Sequence, residues 1–140
     1  MDSTTQRGTD GQTAPGACDA MAAQMVVAQY LSAFYTGDFD RAKAVVAPGF
    51  SFRGPFLQVQ GRDAFFAGAQ GLRPIVRGHQ LLRQWVDGAD VSSSCDVIFD
   101  TLSGTGRVPM SEWHTVHDGR LTSALVLFDA AAFRSLFPAP

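Results

Sequence analysis

The sequence predicts an α+β domain in which helices come first and an antiparallel sheet follows. Apolar residues recur at helical spacing as far as Leu72, and from Ile75 onward they alternate with polar ones. Turn sequences then punctuate the alternating half at Gly88-Ala89-Asp90, Ser103-Gly104-Thr105-Gly106 and Asp118-Gly119, so four long strands follow one another as a meander. Helices packed on one face of such a sheet bury the apolar sides of both. Twist accumulating along long strands bends the sheet.

The elements follow in order. Residues 1–18 are rich in Ser, Thr, Gly, Gln and Asp without apolar periodicity and read as a disordered leader, so the domain is expected over 19–138. From Asp19 to Thr36, Met21, Met25, Ala28, Leu31 and Tyr35 fall at helical spacing, with Val26, Tyr30, Ala33 and Phe34 widening the stripe. Gly37 closes this helix, and Asp38 is a good N-cap for a second running from Phe39 to Val46. Pro48-Gly49 stops it. Phe50–Arg53 and Leu57–Gln60 read as short strands joined at Gly54-Pro55, and Asp63 opens a third helix through Phe65, Phe66 and Leu72, ending before Pro74. The long strands are expected at 75–87, 90–101, 107–117 and 120–128, and Asp129 caps a short last helix ending before Pro138.

Composition narrows the function classes. The chain has 140 residues, 46% of them hydrophobic, with eleven Phe against two Tyr and two Trp, which favours an interior of large rings without polar handles. Eleven dispersed basic residues and a net charge of −2 give no footprint for nucleic acid. Apolar runs such as Leu125–Phe128 fall far short of the ~20 residues of a membrane span. No apolar segment of secretory type follows Arg7, so a cytoplasmic protein is expected. Cys18 and Cys95 belong to no metal-spaced pair, and neither a disulfide, a metal site nor a cofactor is expected.

Glu112 and His114 stand two apart in an expected strand, so both side chains emerge on one face, shared with Val108, Met110 and Val116. With that face inward, a carboxylate beside an imidazole suits a general acid or base. The opposite parity puts Trp113 in the core and the pair in solvent. On the preceding strand Cys95, Val97 and Phe99 share one parity and are expected inward, leaving Asp96 and Asp100 on the surface. Arg53 near the mouth suits either an anionic ligand or plain solvent, and His117 is expected on a solvent or dimer surface.

The chain resembles the NTF2-like superfamily, which includes SnoaL-like polyketide cyclases, ketosteroid isomerases and scytalone dehydratases. The resemblance covers about residues 23–137 and rests on Tyr30 ahead of Thr36-Gly37-Asp38, on Pro55-Phe56, on Gly61-Arg62-Asp63, and on Asp118-Gly119-Arg120-Leu121 with Phe128-Asp129. It implies a cone of three or four helices on a strongly curved, mainly antiparallel sheet enclosing an apolar pocket, usually in a homodimer. It also implies that Glu112 stands where the isomerases carry an oxyanion-stabilising acid and Tyr30 where they carry an oxyanion tyrosine. His79 and His114 resemble the two histidines of the dehydratases. Gly54 stands before Pro55-Phe56 where the isomerases have their base, and the first helix has no counterpart of the dehydratase acid.

The candidate catalytic residues are therefore Glu112, His114, His79 and Tyr30, with Tyr35, Phe52, Phe56, Phe66, Val97, Phe99, Met110 and Phe128 expected to line the pocket and hold a small apolar molecule. Two function classes follow. One is a cofactor-free cyclase, isomerase, dehydratase or hydrolase using the Glu112–His114 pair. The other is a non-catalytic binding or dimeric interaction domain with Trp113 on its outer face.

Overall fold

The computed structural model describes the backbone of residues 2–137 and the side chains of residues 19–137. Its elements are α1 (Asp2–Tyr35), α2 (Phe39–Lys43), β1 (Val46–Arg53), β2 (Gln58–Gln60), α3 (Arg62–Ala69), β3 (Val76–Asp87), β4 (Asp90–Thr101), β5 (Gly104–His117), β6 (Arg120–Phe128) and α4 (Ala130–Leu136), with a single 3-10 turn at Gln70–Leu72. The leader expected over residues 1–18 lies outside those with described side chains. The α+β class and the meander are as the alternation predicts. The six strands form one open sheet in the order β2-β1-β6-β5-β4-β3, antiparallel throughout except for the parallel pair β1–β6.

Local chemistry sets the boundaries. Gly37 at φ +83° ends α1, and the Asp38 carboxylate accepts a hydrogen bond from the Arg41 N–H to open α2. Asp118 at φ 51° and Gly119 at φ 75° make the tight β5–β6 turn, and Asp129 caps α4 by accepting from the Ala131 N–H. The expected second helix is too long. It stops at Lys43, and Val46 already pairs with Leu121 of β6. Pro48-Gly49 sits inside β1, at the register shift between Val46 and Ser51, where a residue without an N–H costs no ladder bond.

The buried stripe of α1 also differs from the expected one. Ala23, Val27, Tyr30, Leu31 and Phe34 are inside, at helical i, i+4, i+7 spacing, whereas Met21 and Met25 are about two-thirds exposed on another side of the helix. The inner residues join Phe39, Phe50, Phe65, Phe66 and Leu121 in one core between the helices and the sheet. A second core holds Cys95, Val97, Phe99, Val108, Met110 and Val126. Tyr35, Phe52 and Leu72 touch both.

Candidate functional site

Between the two cores lies a cavity of about 270 Å³. Tyr35, Phe52 and Leu72 are on its wall, with Phe34, Phe65, Val76, Phe99, Met110 and Val126. Phe56, Phe128 and Phe133 also line it, their ring centroids 4.9–5.9 Å apart. Phe56 is half exposed and Phe128 and Phe133 are partly exposed, which places this aromatic trio at the rim. The ionisable groups on the wall are Glu112, Tyr30 and Tyr35.

The strand alternation resolves the parity that the sequence left open. Glu112 and His114 are each 2% exposed and Trp113 is 50% exposed, so β5 turns the acid and the imidazole inward. On β4, Cys95, Val97 and Phe99 face in, and Asp96 and Asp100 face out to pair with Arg107 and Arg77.

Glu112 and His114 nonetheless do not form the expected hydrogen-bonded pair. His114 Nε2 stands 3.8 Å from Glu112 Oε1, beyond hydrogen-bond reach, and neither His114 ring nitrogen has a partner among the described residues. Residues i and i+2 point the same way along a strand but spread apart along it, so same-face neighbours need not touch. Glu112 instead takes its partners from other elements. The Tyr35 hydroxyl at the end of α1 donates to Glu112 Oε2 at 2.8 Å, and the Cys95 thiol of β4 donates to the same oxygen at 3.3 Å.

Burial dominates the protonation of the group. Desolvation raises the Glu112 pKa above its ordinary value, and the hydrogen bonds from Tyr35 and Cys95 pull the other way. Desolvation and then the Glu112 charge hold both tyrosine hydroxyls well above the usual tyrosine value and raise the Cys95 thiol, so all three remain donors. Burial lowers His114 to about 4 and lowers His79, so both imidazoles are neutral at pH 7.

Of the residues expected to react, Glu112 and Tyr30 lie on the cavity wall, and His79 and His114 do not. Each histidine instead lies against a tyrosine of the wall. The His79 ring stacks on Tyr35 at 4.1 Å and 5°, and His114 meets Tyr30 at 5.4 Å and 62°. Of the expected lining residues, Tyr35, Phe52, Phe56, Phe99, Met110 and Phe128 are on the wall. Phe66 is not, because it points back into the helical core against Phe34, Phe39 and Phe65. Val97 is consumed by the second core. The sequence reading missed Phe34, Phe65 and Phe133 as wall residues and Cys95 as a partner of Glu112. Their spacing is that of ordinary core positions, and nothing in it distinguishes a wall from a core.

The pattern of the SnoaL-like domain matches residues 27–124. The chain belongs to the SnoaL-like domain family. Among solved structures of the NTF2-like fold, it is similar to a protein from Kribbella flavida, with 29% identity and a TM-score of 0.70 over 80% of this chain and 90% of that one. It is similar in fold to a Mycobacterium tuberculosis epoxide hydrolase of the LEH-like kind, with 21% identity and a TM-score of 0.75 over 84% and 91%. A putative ketosteroid isomerase from Kribbella flavida shares the fold at 15% identity and a TM-score of 0.69 over 79% and 80%. No protein of curated function matches the sequence. Among the described residues, no helix is long and apolar enough to cross a membrane.

Proposed function

We propose that this SnoaL-like protein is an acid/base enzyme acting on a small apolar substrate, with Glu112 exchanging the proton. The observation that carries the reading is one carboxyl group, almost fully buried, on the wall of an otherwise apolar cavity and oriented by the Tyr35 hydroxyl. A carboxylate removed from water is a stronger base than a solvated one, and a raised pKa moves it toward the operating pH. Tyr30 contributes a second hydroxyl, kept protonated by burial, for an oxygen of the substrate. His114 and His79 act through the tyrosines they pack against, as neutral rings that fix their positions. The printed descriptions of the fold neighbours, a hydrolase and a putative isomerase, are compatible with proton-transfer chemistry on such molecules.

A reaction limited by proton abstraction tests this without knowledge of the natural substrate. The ring opening of 5-nitrobenzisoxazole accelerates when a carboxylate base is desolvated. Turnover by the wild type is expected to fall about 100-fold or more in Glu112→Gln, the usual worth of a general base. Turnover unchanged by that substitution would sink the reading.

A second reading, that the domain binds rather than transforms a ligand and works as a homodimer, draws on the outer face of the sheet. There Trp85 and Trp113, each about half exposed, line a groove of about 760 Å³ with Ser92, Ser94, Ser111 and Leu125. Tryptophan is among the residues that protein interfaces favour.

A further inference from the structure

Three metal-ligating side chains meet on the inner face of the sheet, one from each of three adjacent strands. His79 comes from β3, Cys95 from β4 and Glu112 from β5, and one ligand atom from each lies within 4.8 Å of the other two. We infer that these residues form a binding site for a thiophilic divalent cation of the Zn²⁺ class, beside the apolar cavity.

The donor chemistry decides the class of ion. A thiolate, an imidazole and one carboxylate select zinc over magnesium or calcium, which prefer sets made entirely of oxygen. The edges of a tetrahedron with zinc-ligand distances of 2.0–2.3 Å measure about 3.3–3.8 Å. Cys95 Sγ and Glu112 Oε2 already stand 3.3 Å apart, so the closing movement, at most about 1.5 Å, falls mainly to His79. The backbone of its strand has room for such a shift. That strand lies at the edge of the sheet, and register shifts flank His79 at Val76/Gly78 and Leu81/Arg83.

The surroundings favour ligation in other ways. His79 Nε2 is buried and has no hydrogen-bond partner among the described residues, so ligation costs it no existing contact. The stacked Tyr35 ring fixes the plane of the imidazole, and the Tyr35 hydroxyl supports the carboxylate. Binding displaces the thiol proton of Cys95, and that of Glu112 when it carries one, to solvent. Three protein donors leave one tetrahedral position for water or a ligand.

A functional consequence rests on the acid/base reading. Zinc takes the carboxylate that would move the proton, so the loaded site is inhibited. The site itself does not depend on that reading, because metal binding is observable without turnover.

Co²⁺ replaces zinc as a coloured probe, and a Cys18→Ser background removes the other thiol. Titration under a non-thiol reductant is expected to give a thiolate-to-cobalt charge-transfer band with intense visible bands of tetrahedral cobalt, saturating at one ion per chain and bleached by Zn²⁺. Cys95→Ser should abolish the charge-transfer band, His79→Ala should weaken binding at least about 10-fold, and His117→Ala should change neither. Absence of the band in the Cys18→Ser protein, or its survival in Cys95→Ser, overturns the proposal. Charge transfer without zinc inhibition of 5-nitrobenzisoxazole turnover would uphold the site and contradict the acid/base reading alone.

Discussion

His114 carries a stability signature that its burial makes readable. Its folded pKa of about 4 lies below the ordinary 6.5, so between these values the unfolded chain binds the extra proton. Stability from this group is therefore complete above pH 6.5 and is lost as pH falls toward 4, by roughly 2 kcal/mol between pH 7 and pH 5. His114→Leu keeps most of the volume and has no proton to gain, so urea unfolding should show that increment missing from its pH dependence. An equal loss in the variant would assign the acid sensitivity elsewhere. The sequence was informative about which residues share a face and silent about their direction and partners. Alternation put Glu112 and His114 on one face with Val108, Met110 and Val116 and left open whether that face turns inward, and the contact that matters for Glu112 arrives from Tyr35, 77 residues away.

Among the elements, α3 divides two adjacent phenylalanines between two tasks. Phe66 packs into the helical core at 1% exposure, and Phe65 reaches the cavity wall. Phe66→Ala is expected to cost about 3–5 kcal/mol, as large cavities in a core do. Phe128→Ala, at the partly exposed rim, should cost less than half of that while weakening the binding of an apolar dye such as 1-anilinonaphthalene-8-sulfonate. The two losses are separable by measuring urea midpoints and dye titrations on the same preparations, and similar stability losses in both variants would contradict the division. The order and type of the described elements were legible because the apolar period changes from 3.6 to 2 near Pro74 and because Gly37, Asp38, Asp118, Gly119 and Asp129 do what their chemistry favours. Less legible was the start of β1. Val46 pairs with β6, a partner about 75 residues distant, and only the assembled sheet reveals that Pro48-Gly49 sits in a strand irregularity rather than after a helix.

For the whole molecule, the open sheet presents one face to the helices and the other to its surroundings. Trp113 and Trp85 on that outer face are the costly residues to leave in water, since each ring offers a large apolar area. If this face pairs two copies, Trp113→Asp shifts the sedimentation profile from dimer to monomer without changing the far-ultraviolet circular dichroism. A wild-type profile that is monomeric across the micromolar range would remove the dimer from the account. The fold was readable from the resemblance, but the fold alone did not say which groups reach the cavity. Both histidines sit one side chain away from it, screened by Tyr30 and Tyr35.

Glu112 is a desolvated carboxyl held by Tyr35, and its protonation can be followed directly. A carbon-13 titration of the Glu112 side-chain carboxyl is expected to give a pKa above the ordinary glutamate value of 4.5, because burial outweighs the hydrogen bonds. Tyr35→Phe removes a donor that favours the charged form and should raise the value further. A wild-type carboxyl that titrates at or below 4.5, and that does not respond to Tyr35→Phe, would mean that Glu112 is neither desolvated nor held by Tyr35.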